Sequence, residues 1–405
     1  MRPFEAGLRR EPPPSLDVGD EPELVERIRA EIAAAGPITF ARFMERALYE
    51  PDIGYYRSAA ARPGRGGDFL TAPETHPVFG RALARQLDEL WRVLGRPSPF
   101  VIREQGAGAG TLAVSILDGL RGEGSALLGA VCYEPIEVDA AREVQIAGRL
   151  TEAGFGDLLR RSADEPIVGC ILANEVADAL PVHRVMWRDG RLREIYVDWQ
   201  NDAFAEVLGE PSTAALAARL DAEGVELAEG QRAEISLALD GWIEAIAAGL
   251  QRGLLLIIDY GYPAAELYGP RRVAGTLLAY VNHRAHEDVL TNVGRQDLTA
   301  HVDLTAIERA ATRAGLVSVG ATTQAEFLGG LGITEVVAEA QRDPATTVES
   351  YLALRSGVMR LLDPAASGGF KVLAFGRDLP PSAELRGFGW QLQRSAQDEP
   401  ETAPD

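Results

Sequence analysis

The chain has 405 residues, of which 46% are hydrophobic, and a formal net charge of -20 at pH 7. That is enough apolar material for one large core or two modest ones, which excludes a chain disordered throughout. The charge argues against nonspecific nucleic-acid binding, and apolar runs no longer than strand length, such as Gly253 to Ile258, argue against a membrane-spanning helix.

Met1 to Arg10 lacks the apolar centre of a secretion signal, and the acidic segment after it is unlike a transit peptide, so the expected compartment is the cytoplasm. Residues 1–21 and 378–405, rich in proline and acid, read as disordered tails. Residues 22–96 read as a helical region: Leu24 to Ala35, Phe40 to Tyr49 behind a cap at Thr39, and Pro77 to Leu94, with Phe79, Leu83, Leu87, Leu90 and Trp91 at helical spacing.

From about residue 97 to 377, strands and helices alternate. Strands are expected at Phe100 to Arg103, Leu128 to Tyr133, Ile167 to Leu172 and Leu254 to Ile258, with helices from Thr111, from Val138 and over Leu304 to Ala314. Such alternation predicts an α/β, Rossmann-like, doubly wound sheet, mostly parallel and covered on both faces. Leu316 to Thr322 and Phe370 to Phe375 are expected to close it as an antiparallel pair. A hairpin at Val182 to Trp187 and Leu192 to Val197 opens an interruption, and residues 200–250 are expected to be a mostly helical insertion. Cys132 and Cys170 sit in apolar runs and read as reduced thiols.

The first strand runs into V-I-R-E-Q-G-A-G-A-G-T-L, with glycines at 106, 108 and 110 before a helix that begins at Thr111. Glycines at alternate positions let a ligand approach the main chain, and the helix N-terminus behind them presents free N–H groups. A dinucleotide fingerprint needs glycine where Thr111 stands, which weakens a nicotinamide reading. An acid two residues before G-x-G-x-G is the pattern of S-adenosyl-L-methionine (SAM) sites in class I methyltransferases. In that reading Glu104 faces the methionine ammonium, while Gly106, Gly108, Gly110 and Thr111 form the cradle.

In an open parallel sheet, ligands bind beyond the carboxyl ends of the strands. Glu134, past the expected end of the second strand, is placed to accept ribose hydroxyls. Asn174 and Glu175 follow the third strand, and Asp259 follows the fourth. The segment of about forty residues after Asp259 has little periodicity and reads as a lid or binding surface. It carries His283, His286 and His301 at no zinc spacing; no metal is expected, and His283 is the candidate for orienting substrate or handling protons.

The glycine loop, N-E-V-A-D-A-L-P from Asn174, G-P-I-T-F-A-R-F-M from Gly36, P-D-I-G-Y-Y from Pro51, G-D-F-L-T-A-P-E from Gly67, H-P-V-F-G from His76 and G-R-Q-D-L-T-A-H-V-D from Gly294 together resemble the MidA family of SAM-dependent methyltransferases, over residues 36 to 377. The family includes a mitochondrial complex I assembly factor that methylates arginine. Gln105 and Ala107 stand where the family usually has leucine and proline, and Val176-Ala177 where an aromatic pair is common. The resemblance implies SAM as cofactor and a protein substrate presenting arginine, such as a respiratory complex I subunit. It also folds Gly67 to Glu74 over the cofactor, adding Thr71 and Pro73 to the cofactor residues, and makes Glu175, Asp178 and Glu74 the carboxylates that orient the acceptor and take its proton. Tyr55 and Tyr56 are secondary candidates for cation-π contact. A noncatalytic SAM-binding assembly factor, a small-molecule methyltransferase and an NAD-dependent oxidoreductase remain open alternatives, as does the oligomeric state, with a homodimer among the choices.

Overall fold

The computed structural model describes residues 16–58, 71–160, 165–380 and 384–389. Six strands form the central sheet: β1 (Phe100–Gln105), β2 (Val131–Ile136), β3 (Ile167–Asn174), β4 (Leu250–Asp259), β5 (Val317–Thr323) and β6 (Lys371–Arg377). Their spatial order is β5-β6-β4-β3-β1-β2. The first four are mutually parallel, and β6 runs antiparallel between β4 and β5. The near-continuous apolar runs of β3 and β4 are buried on both sides, as a sheet covered by helices requires.

Two cores cover the sheet. On one face the helices Val78–Val93 and Thr111–Gly122 bury Phe79, Leu83, Leu87 and Ile116; on the other, Ala238–Ala248 and Leu304–Arg313 bury Ile243 and Ile307. At the N-terminus, Leu24, Ile28 and Ile32 line the inner side of helix Pro22–Ala35. Thr39 caps the helix Phe40–Tyr49 by accepting from the Arg42 N–H at 3.1 Å.

The segment after the hairpin differs from the expectation. Ala203–Gly209 and Arg232–Ile235 are strands and join His183–Arg188, Arg191–Gln200 and Ile38–Thr39 in a five-stranded antiparallel sheet. The signal was local: Asn201 and Asp202 both take positive φ (50° and 60°), the two-residue turn that returns a strand on its neighbour. Of the helices in this stretch, Ala238–Ala248 packs on the central sheet.

The ends differ too. Asn292 holds residues 16–18, with its Nδ2 donating to Leu16 O at 2.8 Å and its Oδ1 accepting from Val18 N at 2.9 Å; Val293 N donates to Asp20 at 2.8 Å. Near the other end, Leu385 and Phe388 are buried, and Gly387 N donates to Gln86 at 3.1 Å. Specific backbone partners therefore order 16–21 and 384–389, although their composition reads as tail; residues 1–15 and 390–405 lie outside the described part. No described helix is long and apolar enough to cross a membrane.

Candidate active site

A cavity of about 440 Å³ opens at the carboxyl ends of β1 and β3. Its first wall is the turn after β1. Gly106, Gly108 and Gly110 all take left-handed φ (63°, 57° and 76°), and Gly106 N and Ala107 N donate to Ile136 O at 2.9 and 3.3 Å, which ties the turn to the end of β2. A Cβ on Gly108 would meet nothing within 4 Å, so this backbone is open to the cavity. Gly110 has a different role: it does not line the cavity, it precedes helix Thr111–Gly122, and a Cβ there would press on Ile146 at 3.1 Å. Thr111 lines the cavity and accepts from Arg149 at 2.7 Å.

Behind the turn, Glu104 is buried and accepts from the Tyr133 hydroxyl at 2.7 Å; burial pushes its carboxyl up to about 8. Glu134 is not at the site. It lies inside β2, 1% exposed and outside the lining residues, and pairs with Arg103 at 2.7 Å and Arg160 at 3.0 Å. The sequence reading ended this strand at Tyr133, whereas it runs to Ile136, a slip of three residues. The carboxylate past the true strand end is Glu137, which lines the cavity and accepts the Gly108 N–H at 2.5 Å. Sequence reasoning missed it, although a strand boundary moved by three would have found it.

The second wall is the turn Asn174 to Asp178. Asn174, Glu175 and Asp178 all line the cavity. Glu175 sits at φ 53°, and its carboxylate accepts from Ala72 N at 3.0 Å and Asn174 Nδ2 at 3.1 Å. Asp178 accepts from the Tyr260 hydroxyl at 2.5 Å. Burial raises both carboxyls, Glu175 to about 8 and Asp178 to about 6. The short helix Ala72–Thr75 brings Thr71, Pro73 and Glu74 to the same space; Glu74 closes a capping box on Thr71, and burial raises its pKa. Gly67 to Leu70 of that motif lie outside the described residues.

The third wall comes from the irregular stretch after β4. It forms a small sheet of Leu278–Val281, Arg284–His286 and Asp297–Thr299, which contributes Tyr280, Asp297 and Thr299. The Tyr56 hydroxyl donates to Asp297 at 2.7 Å and the Tyr56 ring stacks on Tyr49, while Tyr55 is buried in the adjoining core. His283 departs from its expected role. It is exposed at the turn of the hairpin and does not line the cavity, although its charge is among those that lower the pKa of Glu74. A turn needing positive φ at both Asn282 and His283 accounts for that position.

The lining carries six carboxylates, Glu74, Glu104, Glu137, Glu175, Asp178 and Asp297, against one guanidinium, Arg142. Burial raises the pKa of Glu137 as well. A cation placed among these groups would draw them back to the charged form, so the cavity is built for positive charge. SAM fits it. The cofactor carries a sulfonium and an ammonium, Gly108 offers open main chain, and Asn174, which lines the cavity, keeps a buried Oδ1 with no hydrogen-bond partner. The residues that would hold it are Glu104, the Gly106 to Gly108 turn, Glu137 and Asn174. Among the described residues no cluster of His, Cys, Asp and Glu is arranged to hold a metal ion.

Comparison with known proteins agrees with this site. A family model described as S-adenosyl-L-methionine-dependent methyltransferase matches residues 82–322. A Burkholderia thailandensis protein whose crystal structure holds S-adenosyl-homocysteine superposes with a TM-score of 0.81 at 36% identity, covering 90% of this chain and 94% of that one. The mitochondrial protein arginine methyltransferase NDUFAF7 homolog of Drosophila melanogaster is 32% identical over 87% of this chain and 84% of its own length. The human protein arginine methyltransferase NDUFAF7 is 28% identical over 85% and 81%. These relatives overturn the expected cytoplasmic compartment: those from fly, rat, human and cattle are mitochondrial proteins. The cofactor is SAM rather than a nicotinamide, and the chain belongs to the S-adenosyl-L-methionine-dependent methyltransferase family.

Proposed function

We propose that this methyltransferase transfers the methyl group of SAM to an arginine side chain presented by a protein. The observation that carries this reading is the acidic and aromatic part of the cavity lining, which brings Glu175, Asp178 and Asp297 together with Tyr49, Tyr56, Tyr260 and Tyr280. Carboxylates can pair with a planar guanidinium and tyrosine rings can stack on it, and the relatives from fly and human bear the name of arginine methyltransferases.

When bound, the cofactor supplies an electrophilic methyl group. The chain's task is to orient the acceptor nitrogen, exclude water and receive one proton. An arginine guanidinium, with a reference pKa of about 12.5 or above, arrives charged and has no free lone pair. Glu175 and Asp178 hold it by its N–H groups, and one of the two takes the N–H proton as the nitrogen acquires the methyl group. Arrival of the guanidinium favours their ionised forms and so readies them as acceptors. Tyr260 donates to Asp178 and fixes which oxygen remains free.

The test is transfer of labelled methyl from SAM to proteins of a hypomethylated extract, followed by amino-acid analysis. Label in methylarginine, lost with Glu175→Gln while S-adenosyl-homocysteine still binds, supports the assignment. Label confined to small molecules or to other side chains contradicts it.

A further inference from the structure

Asp259 ends β4 and is 1% exposed, and it does not line the cavity. Its Oδ2 accepts the main-chain N–H groups of Val176 at 3.2 Å, Ala177 at 2.9 Å and Asp178 at 3.4 Å, and its Oδ1 accepts that of Tyr260 at 2.9 Å. One carboxylate thus gathers three consecutive amides of the turn carrying Glu175 and Asp178, plus the amide of the tyrosine that donates to Asp178. The preceding amide, Glu175 N, donates to Ile258 O at 2.8 Å, and Ala300 N donates to Asp178 O at 3.0 Å.

The cluster is costly. Glu175 holds a left-handed φ of 53°, a conformation that residues with a side chain rarely adopt. Three acids stand close together, and burial and the charges of Asp178 and Glu175 raise the pKa of Asp259 well above the ordinary range. A single-oxygen acceptor could meet the amides of residues 176–178 or that of Tyr260, whereas the two oxygens of Asp259 meet both. What the carboxylate adds is a fixed turn that points Glu175 and Asp178 to the same side.

We propose that Asp259 is the positioning residue of the acceptor site: by accepting the amides of Val176, Ala177 and Asp178 it holds the turn in the shape that presents Glu175 and Asp178 together to an incoming guanidinium. This rests on the reading that those two carboxylates meet the acceptor. An asparagine offers one oxygen only, so in either orientation its NH2 faces main-chain N–H groups, those of Val176, Ala177 and Asp178 or that of Tyr260, and Asp259→Asn loosens the turn while leaving the glycine loop in place.

The experiment uses the full chain saturated with S-adenosyl-homocysteine and reads two things in Asp259→Asn. The first is amide hydrogen exchange over 174–178. The second is the affinity for butylguanidinium by calorimetry, as a probe of the acceptor end. Exchange is expected to rise at least tenfold in this segment alone, butylguanidinium to bind at least tenfold more weakly, and S-adenosyl-homocysteine affinity to stay within about threefold; misplacement of about 1 Å can cost about a hundredfold in rate, so methyl transfer should fall by a similar factor. Unchanged exchange overturns the proposal, as does an equal loss of S-adenosyl-homocysteine binding, which marks a merely structural residue. If Glu175→Gln also leaves butylguanidinium affinity unchanged, the reading of the acceptor site falls with it; if Glu175→Gln weakens it and Asp259→Asn does not, only the positioning role falls. Asp259→Ser, which keeps one small acceptor, is read in the same way should the asparagine variant fail to fold.

Discussion

Glu137 and Glu134 are three residues apart, and exchanging each for glutamine should give opposite phenotypes. Glu137 lines the cavity beside Gly108, the place where a carboxylate can accept the hydroxyls of a ribose. A hydrogen bond to a charged group is worth about 1.5–3 kcal/mol, and about 1.4 kcal/mol is a factor of ten, so Glu137→Gln should weaken S-adenosyl-homocysteine binding by about 10- to 150-fold. The fold should hardly notice, because the ionised Glu137 is itself disfavoured by burial. Glu134→Gln removes the charge that balances the buried Arg103 at 2.7 Å. Breaking such a pair costs about 3–5 kcal/mol, which at about 2 °C per kcal/mol for a large domain lowers Tm by roughly 5–10 °C. Its effect on S-adenosyl-homocysteine affinity should be within about threefold at a temperature where the protein is folded. Calorimetric titration and thermal melting of the two variants read both quantities. A Glu134→Gln protein that melts normally but has lost the ligand would refute the placement of the ribose end.

Glu175→Gln and Asp178→Asn should each lower methyl transfer by about 10²- to 10⁴-fold, the range for removing a proton-handling group, with cofactor binding preserved; single-turnover transfer and titration with S-adenosyl-homocysteine separate the two effects. Stability should depend on pH in a direction set by the raised carboxyls. Glu104 and Glu175, each near 8, and Asp178, near 6, hold protons in the folded state that the unfolded chain has already released, so their contribution to stability is fully present below about pH 4 and is lost as pH rises toward 8, while the lowered carboxyls of Glu31, Glu50, Glu123 and Glu194 act in the opposite sense at the acid end. Melting curves between about pH 6 and pH 8, above the range of the lowered carboxyls, should show the decline, and it should flatten in Glu175→Gln; an unchanged slope in that variant would contradict the burial of Glu175. Tyr56→Phe removes the hydroxyl that donates to Asp297 and should raise the acceptor KM several-fold while leaving S-adenosyl-homocysteine affinity unchanged, a split that steady-state kinetics reads directly.

Much of this was legible in the sequence. The buried strands announce themselves as apolar runs, and glycines at 106, 108 and 110 mark the turn because only glycine takes left-handed φ there without strain. Asn174, Glu175 and Asp178 were readable from one block because a strand end and the turn after it are contiguous in the chain. Glu137 was hidden by a strand boundary. Val131 to Ile136 contains Glu134 and Pro135, which read as the end of a strand, yet Arg103 pairs with that glutamate and makes its burial possible. The strands Ala203–Gly209 and Arg232–Ile235 were hidden for different reasons: the first keeps one buried residue in seven, and the second is four residues long and buries Glu234 beside Ala233 and Ile235. Tyr280, Asp297 and Thr299 reach the cavity through pairing of Leu278–Val281 with Asp297–Thr299, a contact between separate stretches that no local pattern carries. The positions of His283 and of the terminal segments are likewise tertiary outcomes, set by a hairpin turn and by backbone partners at Asn292 and Gln86.

The central claim is that the glycine turn and the acidic turn work as one site for methyl transfer to arginine. The most direct measurement incubates the purified protein and its Gly108→Val variant with methyl-labelled SAM and a hypomethylated protein extract, and identifies the labelled residue by mass spectrometry. The account predicts methylarginine on protein with the unmodified chain and none with Gly108→Val, whose side chain fills the open space beside the turn. Tight S-adenosyl-homocysteine binding with no labelled arginine, or equal labelling by the variant, would contradict it.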